Sequence, residues 1–104
     1  MIKRILRLAD AVAAEANLKL PFVSVVKVLD QEPLHLLAVK ILEGSYADPA
    51  TGSIYVVRSS PDLFVMRVMA AYFALALFAT FGVVDLERAR ELARENYYRV
   101  LVRL

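Results

Sequence analysis

Apolar and polar positions recur with two different periods along this chain, and the two periods predict helices and strands in a definite order. From Ile2 to Asn17 the apolar residues recur every three or four positions, which predicts an amphipathic helix that Pro21 brings to an end. Its apolar stripe comprises Ile2, Ile5, Leu6, Ala9, Val12, Ala13 and Ala16. The segment from Phe22 to Leu29 is short and rich in β-branched residues, and it predicts a strand.

The middle of the chain indicates a hairpin. Asp48-Pro49-Ala50-Thr51-Gly52 has the composition of a tight turn, because proline presets φ and glycine adopts positive φ at no steric cost. The strand-like run from Ser53 to Arg58 follows it and needs an antiparallel partner upstream. The pattern of residues 34–42 fits either a helix or a strand, and the hairpin argument favours a strand there.

Two more helices follow. Ser59, Ser60, Pro61 and Asp62 form a typical helix start, and Gly82 can end that helix after Phe81. Asp85 can cap a last helix, on whose solvent side Glu91 with Arg94, and Glu95 with Arg99, are spaced to form ion pairs. The apolar stripe of that helix comprises Leu86, Ala89, Leu92, Ala93, Tyr97, Val100, Leu101 and Leu104.

These elements predict one α+β domain that covers residues 1–104, in the order α-β-β-β-α-α. We expect a small antiparallel sheet packed against a buried, apolar central helix. At a mass of 11.6 kDa, the folded chain should expose roughly 5,800 Å² of surface.

The central helix permits two interpretations. The 17 residues from Val68 to Val84 carry no charge, and a helix that is apolar on all sides lies either in a protein core or in a membrane. A bilayer span takes about 20 apolar residues, a length that residues 63–84 reach only by including Arg67. The amphipathic patterns elsewhere favour a core helix, and a small membrane protein anchored by residues 63–84 is the alternative.

The composition favours a protein partner. Hydrophobic residues make up 60% of the chain, and the mean hydropathy is +0.54. A typical domain is about 45–50% apolar, so a globule of this size has too little interior for the excess. We therefore expect self-association, most simply a homo-oligomer.

Net charge and cysteine content argue against several other kinds of protein and site. The net charge of +2 produces no strong field for capturing nucleic acid, and the chain has no cysteine for a disulfide or a thiolate metal site. The charged N-terminal residues do not resemble a secretion signal, which indicates a cytoplasmic protein. The scarcity of asparagine and glutamine is also a feature of hyperthermophile proteins.

The last helix offers one further surface. Arg94, Tyr98 and Arg99 could contact a partner there, including the phosphates and bases of a nucleic acid. Because glutamates are interleaved with these arginines, a solvated face of mixed charge is the stronger interpretation, and a nucleic-acid-binding accessory protein is a second alternative.

One stretch resembles a known family. Residues 44–57, GSYADPATGSIYVV, and the helix that follows, RVMAAYFALAL at 67–77, are similar to small zincin-type metallopeptidases, in which such a hairpin precedes a helix carrying H-E-x-x-H. The resemblance places the two zinc ligands at Ala71 and Leu75 and the general base at Tyr72. Alanine and leucine offer no lone pair to zinc, and no carboxylate is present to activate a water molecule.

The resemblance therefore implies a zincin-like scaffold without metal, cofactor, small-molecule substrate or catalysis. In the family the substrate lies along the strand before the active helix. By resemblance, a vestigial peptide groove would comprise Ile54, Tyr55, Val56, Val57, Arg58, Ala71, Tyr72 and Leu75. A peptide held there would add to the sheet as a strand. His35, the one histidine, has no partner cluster, and an ordinary structural role suits it best.

Overall fold

The computed structural model describes all residues, 1–104, as three helices and a four-stranded sheet. The elements are α1 (Ile2–Glu15), β1 (Val25–Leu29), β2 (Val39–Leu42), β3 (Ser45–Asp48), β4 (Ser53–Val57), α2 (Pro61–Phe81) and α3 (Leu86–Leu101). The sheet order is β1-β4-β3-β2. The α+β class predicted from the sequence is confirmed, and the accessible surface of 5879 Å² is close to the expected value.

Helix α2 is the centre of the fold. It lies across β2, β3 and β4, and both α1 and α3 pack against it. Twelve of its residues are buried: Phe64, Val65, Val68, Met69, Ala70, Ala71, Tyr72, Phe73, Ala74, Leu75, Ala76 and Leu77. The sheet contributes Ile41, Ala47, Ile54 and Val56 to the same hydrophobic core. The prediction of a buried apolar central helix is therefore confirmed.

The sheet differs from the prediction in two respects. The antiparallel partner of β4 is β3, whose residues Ser45 and Asp48 lie opposite Val56 and Ser53. Residues 39–42 form a separate strand, β2, which pairs with β3, while residues 30–38 are irregular. In addition β1 is parallel to β4, so the sheet is mixed rather than antiparallel and the order is α-β-β-β-β-α-α.

A tight turn that the sequence pattern did not reveal accounts for the extra strand. Gly44 has a φ of 76°, in the left-handed region, where it reverses the chain between β2 and β3. A Cβ on Gly44 would lie 2.5 Å from the guanidinium carbon of Arg67, so a side chain has no room there. Arg67 donates hydrogen bonds to the carbonyls of Glu43 at 2.9 Å and Val57 at 2.9 Å, which fixes this turn on α2.

The helix boundaries follow the predicted signals closely. Gly82 ends α2 with a φ of 78°, and the Asp85 carboxylate accepts a hydrogen bond from the Arg88 amide at 3.0 Å as the cap of α3. At the start of α2, Ser60 is the N-cap residue, but its hydroxyl donates to the Asp62 carboxylate at 2.7 Å rather than capping the helix.

Candidate interaction surfaces

The positions that the resemblance assigned to metal and base lie in the core. Ala71 is fully buried and Tyr72 is 1% exposed, so neither faces a cleft. The Tyr72 hydroxyl donates a hydrogen bond to the Asp10 carboxylate of α1. Burial raises the pKa of Tyr72, and the bond to Asp10 raises it further. The tyrosine therefore stays protonated and joins α1 to α2.

The residues present do not form a metal site. No group of three or more histidine, cysteine, aspartate or glutamate side chains is close enough to hold an ion. His35 is exposed in the irregular segment between β1 and β2, far along the chain from the helix positions that the family uses.

The predicted peptide groove is divided between two faces of β4. Ile54 and Val56 are fully buried beneath α2, whereas Tyr55 lies on the opposite face, across from Tyr46. Because β4 is paired with β1 on one side and β3 on the other, it has no free edge to which a peptide could add. Arg58 is exposed, and its Nε donates to the Asp30 carboxylate at 3.2 Å.

The free edges of the sheet are β1 and β2, and each is protected. The Arg90 side chain of α3 donates to the Ile41 carbonyl of β2 at 2.6 Å. Strand β1 carries the exposed Lys27 at its centre, and a charged side chain on an edge strand opposes pairing with a second strand.

The three predicted contact residues on α3 are Arg94, Tyr98 and Arg99, and one of them is already engaged in an ion pair. Arg99 donates to both carboxylate oxygens of Glu15, at 2.7 and 2.9 Å. Arg99 therefore ties α3 to α1 and does not form the pair with Glu95 of its own helix that the spacing predicted. The other ion pair on this helix joins Arg88 to Glu91, not Glu91 to Arg94 as the spacing predicted. Arg94 and Tyr98 are exposed.

A group of exposed apolar side chains that the sequence analysis did not predict lies at the C-terminal end of α2. We call Leu20, Phe22, Phe78 and Phe81 the distal patch; they are 57%, 77%, 39% and 66% exposed, respectively. The Lys19 amide donates to the Thr80 hydroxyl at 2.9 Å, which holds the segment carrying Leu20 and Phe22 beside the helix end.

A depression of about 230 Å³ opens within the distal patch. The turn before β4, residues 49–52, lines it together with Pro21, Phe22, Leu75, Phe78 and Ala79. Of the residues in the predicted groove, Leu75 alone reaches this depression. Phe81 stands outside the depression and projects from the next turn of the helix.

Two features of the chain produce this arrangement. Gly52 has a φ of 76°, and a Cβ on it would lie 2.4 Å from the Phe22 carbonyl oxygen, so glycine lets the chain before β1 approach the turn closely. At the helix end, Phe78 and Phe81 are three positions apart and therefore share a face. That spacing immediately before Gly82 is the signal from which the patch could have been found.

A second depression, of about 570 Å³, lies where α1 and α2 begin. Its lining includes Ile2, Phe64, Lys3 and Arg58. It is therefore partly basic, but the guanidinium of Arg58 is already bonded to Asp30.

Comparison of the chain with protein-family models, with curated proteins and with solved structures found no significant match.

Proposed function

We propose that this domain is a non-catalytic protein-interaction domain that associates with further copies of itself as a soluble, cytoplasmic assembly. The observation that carries the proposal is the distal patch, in which four large apolar side chains are exposed and two of them, Phe22 and Phe78, line a depression. The largest apolar patch on a monomeric protein typically covers about 300–600 Å², and patches of that size are often interaction sites.

The absence of enzymatic activity belongs to the same proposal. The Tyr72 side chain that bonds to Asp10 is packed in the core and only 1% exposed, so its hydroxyl is not presented to a substrate. A catalytic acid or base must lie within hydrogen-bond reach of its substrate. A zincin ancestry remains part of the proposal, supported by the order of the β3–β4 hairpin followed by α2. Relatives with histidine at positions 71 and 75 and glutamate at 72 would support that ancestry.

The oligomeric state tests the proposal directly. Light scattering on the eluting chain and sedimentation equilibrium over a wide concentration range should give a mass that is a multiple of 11.6 kDa. Stoichiometric zinc in the purified protein, or a peptidase activity abolished by a chelator, would contradict the non-catalytic assignment. A chain that stays monomeric at all concentrations would contradict self-association.

A membrane anchor is the second candidate, and helix α2 is the observation that favours it. The helix is long and apolar enough to cross a bilayer, with a mean hydropathy of 1.9 over its most apolar window. In the folded domain 72% of that window is buried by the sheet and the other helices, so the helix would have to leave them to meet lipid. Detergent phase partition separates the two candidates, because only an anchored chain enters the detergent phase.

A further inference from the structure

We propose that the distal patch is the self-association interface, and that a second copy of the chain docks on it about a two-fold axis. In this contact Phe81 of each copy inserts into the depression of the other. This inference rests on the proposed function, since it names the surface through which the copies meet.

The size of the patch matches a stable dimer. A fully exposed aromatic side chain presents roughly 200 Å², so the exposed fractions of Phe22, Phe78 and Phe81 correspond to roughly 360 Å² of apolar surface. Leu20 adds to this area. A standard interface buries about 800 Å² per partner, of which about 450–520 Å² is apolar. The patch therefore supplies most of the apolar area that one side of such an interface requires.

The shape of the patch is suited to contact with its own copy. A two-fold interface brings the same surface to both partners, so that surface must contain both a projection and a matching recess. Phe81, which is 66% exposed, is the projection, and the depression lined by Leu75, Phe78 and Ala79 is the recess. Its volume of about 230 Å³ equals the space of roughly eight water molecules, enough for an aromatic ring.

The charge distribution favours a second copy over an anionic lipid surface or a nucleic acid. No charged side chain lines the depression, so two identical patches meet without like-charge repulsion. The one acidic residue of the adjoining turn, Asp48, is already bonded to the Ala50 amide at 3.0 Å and the Thr51 hydroxyl at 3.1 Å. Binding to an anionic lipid surface or a nucleic acid would need a cluster of basic residues. Lys19 is the only basic residue in the segment 18–26 that carries Leu20 and Phe22.

Two variants test the two halves of the contact. Phe81→Ser removes the projection, and Ala79→Trp fills the recess from an exposed helix position. Each should raise the dissociation constant of the assembly at least about ten-fold in sedimentation equilibrium. The matched control is Tyr98→Ser on α3, because Tyr98 is 65% exposed and lies outside the patch. It should leave the dissociation constant unchanged, and circular dichroism should confirm that all three variants are folded.

Mixing the two variants tests the reciprocity of the contact. The Phe81→Ser chain retains an open recess and the Ala79→Trp chain retains its projection, so together they can form one of the two contacts. The mixture should therefore associate more tightly than either variant alone.

The outcomes separate the interface from the proposed function. If the unmodified chain assembles but Tyr98→Ser weakens the assembly as much as Phe81→Ser does, or if the mixture associates no better than its components, the proposed interface is wrong while self-association stands. If the unmodified chain is monomeric at all concentrations, both proposals fail together. Binding of the chain to anionic vesicles, lost in Phe81→Ser, would show that lipid rather than a second copy occupies the patch.

Discussion

The middle of helix α2 and its C-terminal end are similarly apolar but lie in opposite environments. From Phe64 to Leu77 nearly every side chain is buried beneath the sheet or against the neighbouring helices. From Phe78 onward the large side chains are exposed, although the chain is as apolar there as before. The helix is one turn longer than the layer of protein that covers it.

This difference explains why a run of residues without charge does not by itself show whether those residues are buried or exposed. The alanines at positions 70, 71, 74 and 76 are fully or almost fully buried, because small residues let the sheet and the other helices approach closely. The aromatic residues at 78 and 81 have no such neighbours on their outer side. The same apolar composition therefore stabilises the fold in one part of the helix and leaves an exposed apolar surface in the other.

The comparison predicts a large difference between two phenylalanine substitutions. Phe73 is fully buried and packs edge to face on Tyr72, with ring centroids 5.4 Å apart, so Phe73→Ala should reduce the free energy of unfolding by about 3–5 kcal/mol. Phe81→Ala removes an exposed side chain and should change it by less than about 0.5 kcal/mol. Urea unfolding at low protein concentration, where association contributes little, measures both.

If the Phe73→Ala chain does not fold at all, the milder variant Phe73→Leu can be measured in its place. It should retain the fold with a smaller loss of stability. Equal losses at positions 73 and 81 would mean that Phe81 is covered within the single chain, and the contrast between the middle and the C-terminal end of α2 would be wrong.

A second prediction concerns tyrosine ionisation in the buried part of the domain. Burial raises the pKa of Tyr46 to about 12, with a contribution from its hydrogen bond to Glu32, and the pKa of Tyr72 is also raised. The folded chain thus holds these phenol protons more tightly than the unfolded chain, whose tyrosines ionise near pH 10. The resulting stability is fully present below about pH 10 and is lost as the pH rises toward about 12.

Urea unfolding at increasing alkaline pH checks this loss, together with the absorbance of ionised tyrosine. Tyr72→Phe should cost about 1–2 kcal/mol at neutral pH, because the Asp10 carboxylate loses its donor, and it should flatten the alkaline decline. Tyr98→Phe on the surface is the control and should alter neither quantity. An alkaline decline that is as steep in Tyr72→Phe as in the unmodified chain would contradict a role for this pair.

Local signals in the sequence predicted the helices well. Gly82 and Asp85 each act within a few residues of their own position, through positive φ and through a side-chain cap, so their effects can be read without knowledge of the rest of the fold. The turn at residues 48–52 is equally local, with the Gly52 amide donating to the Asp48 carbonyl at 2.8 Å.

The strand pairing and the distal patch depend on contacts between distant residues, and the sequence pattern could not supply them. The turn at Gly44 is fixed by Arg67, which is more than twenty positions away. The parallel pairing of β1 with β4 joins two strands that the whole β2–β3 hairpin separates in the sequence, and that hairpin lies on the other side of β4. The patch arises because Phe22, before β1, and Phe78, near the end of α2, line one depression together with the turn at residues 49–52.

The smallest predicted effect concerns the hydrogen bond that ties the chain before β1 to the exposed end of α2. The Thr80 hydroxyl accepts from the Lys19 amide at 2.9 Å and donates to the Ala76 carbonyl at 2.8 Å. Thr80→Val should cost about 1 kcal/mol and speed hydrogen exchange at the Lys19 amide, which then has no acceptor. The neighbouring Leu18 amide donates to the Ala13 carbonyl at 2.9 Å, so its exchange should change little.

Thr80→Ser keeps the hydroxyl and should preserve slow exchange at Lys19. Unchanged exchange at Lys19 in Thr80→Val would mean that packing in the distal patch, rather than this single bond, holds the segment beside the helix.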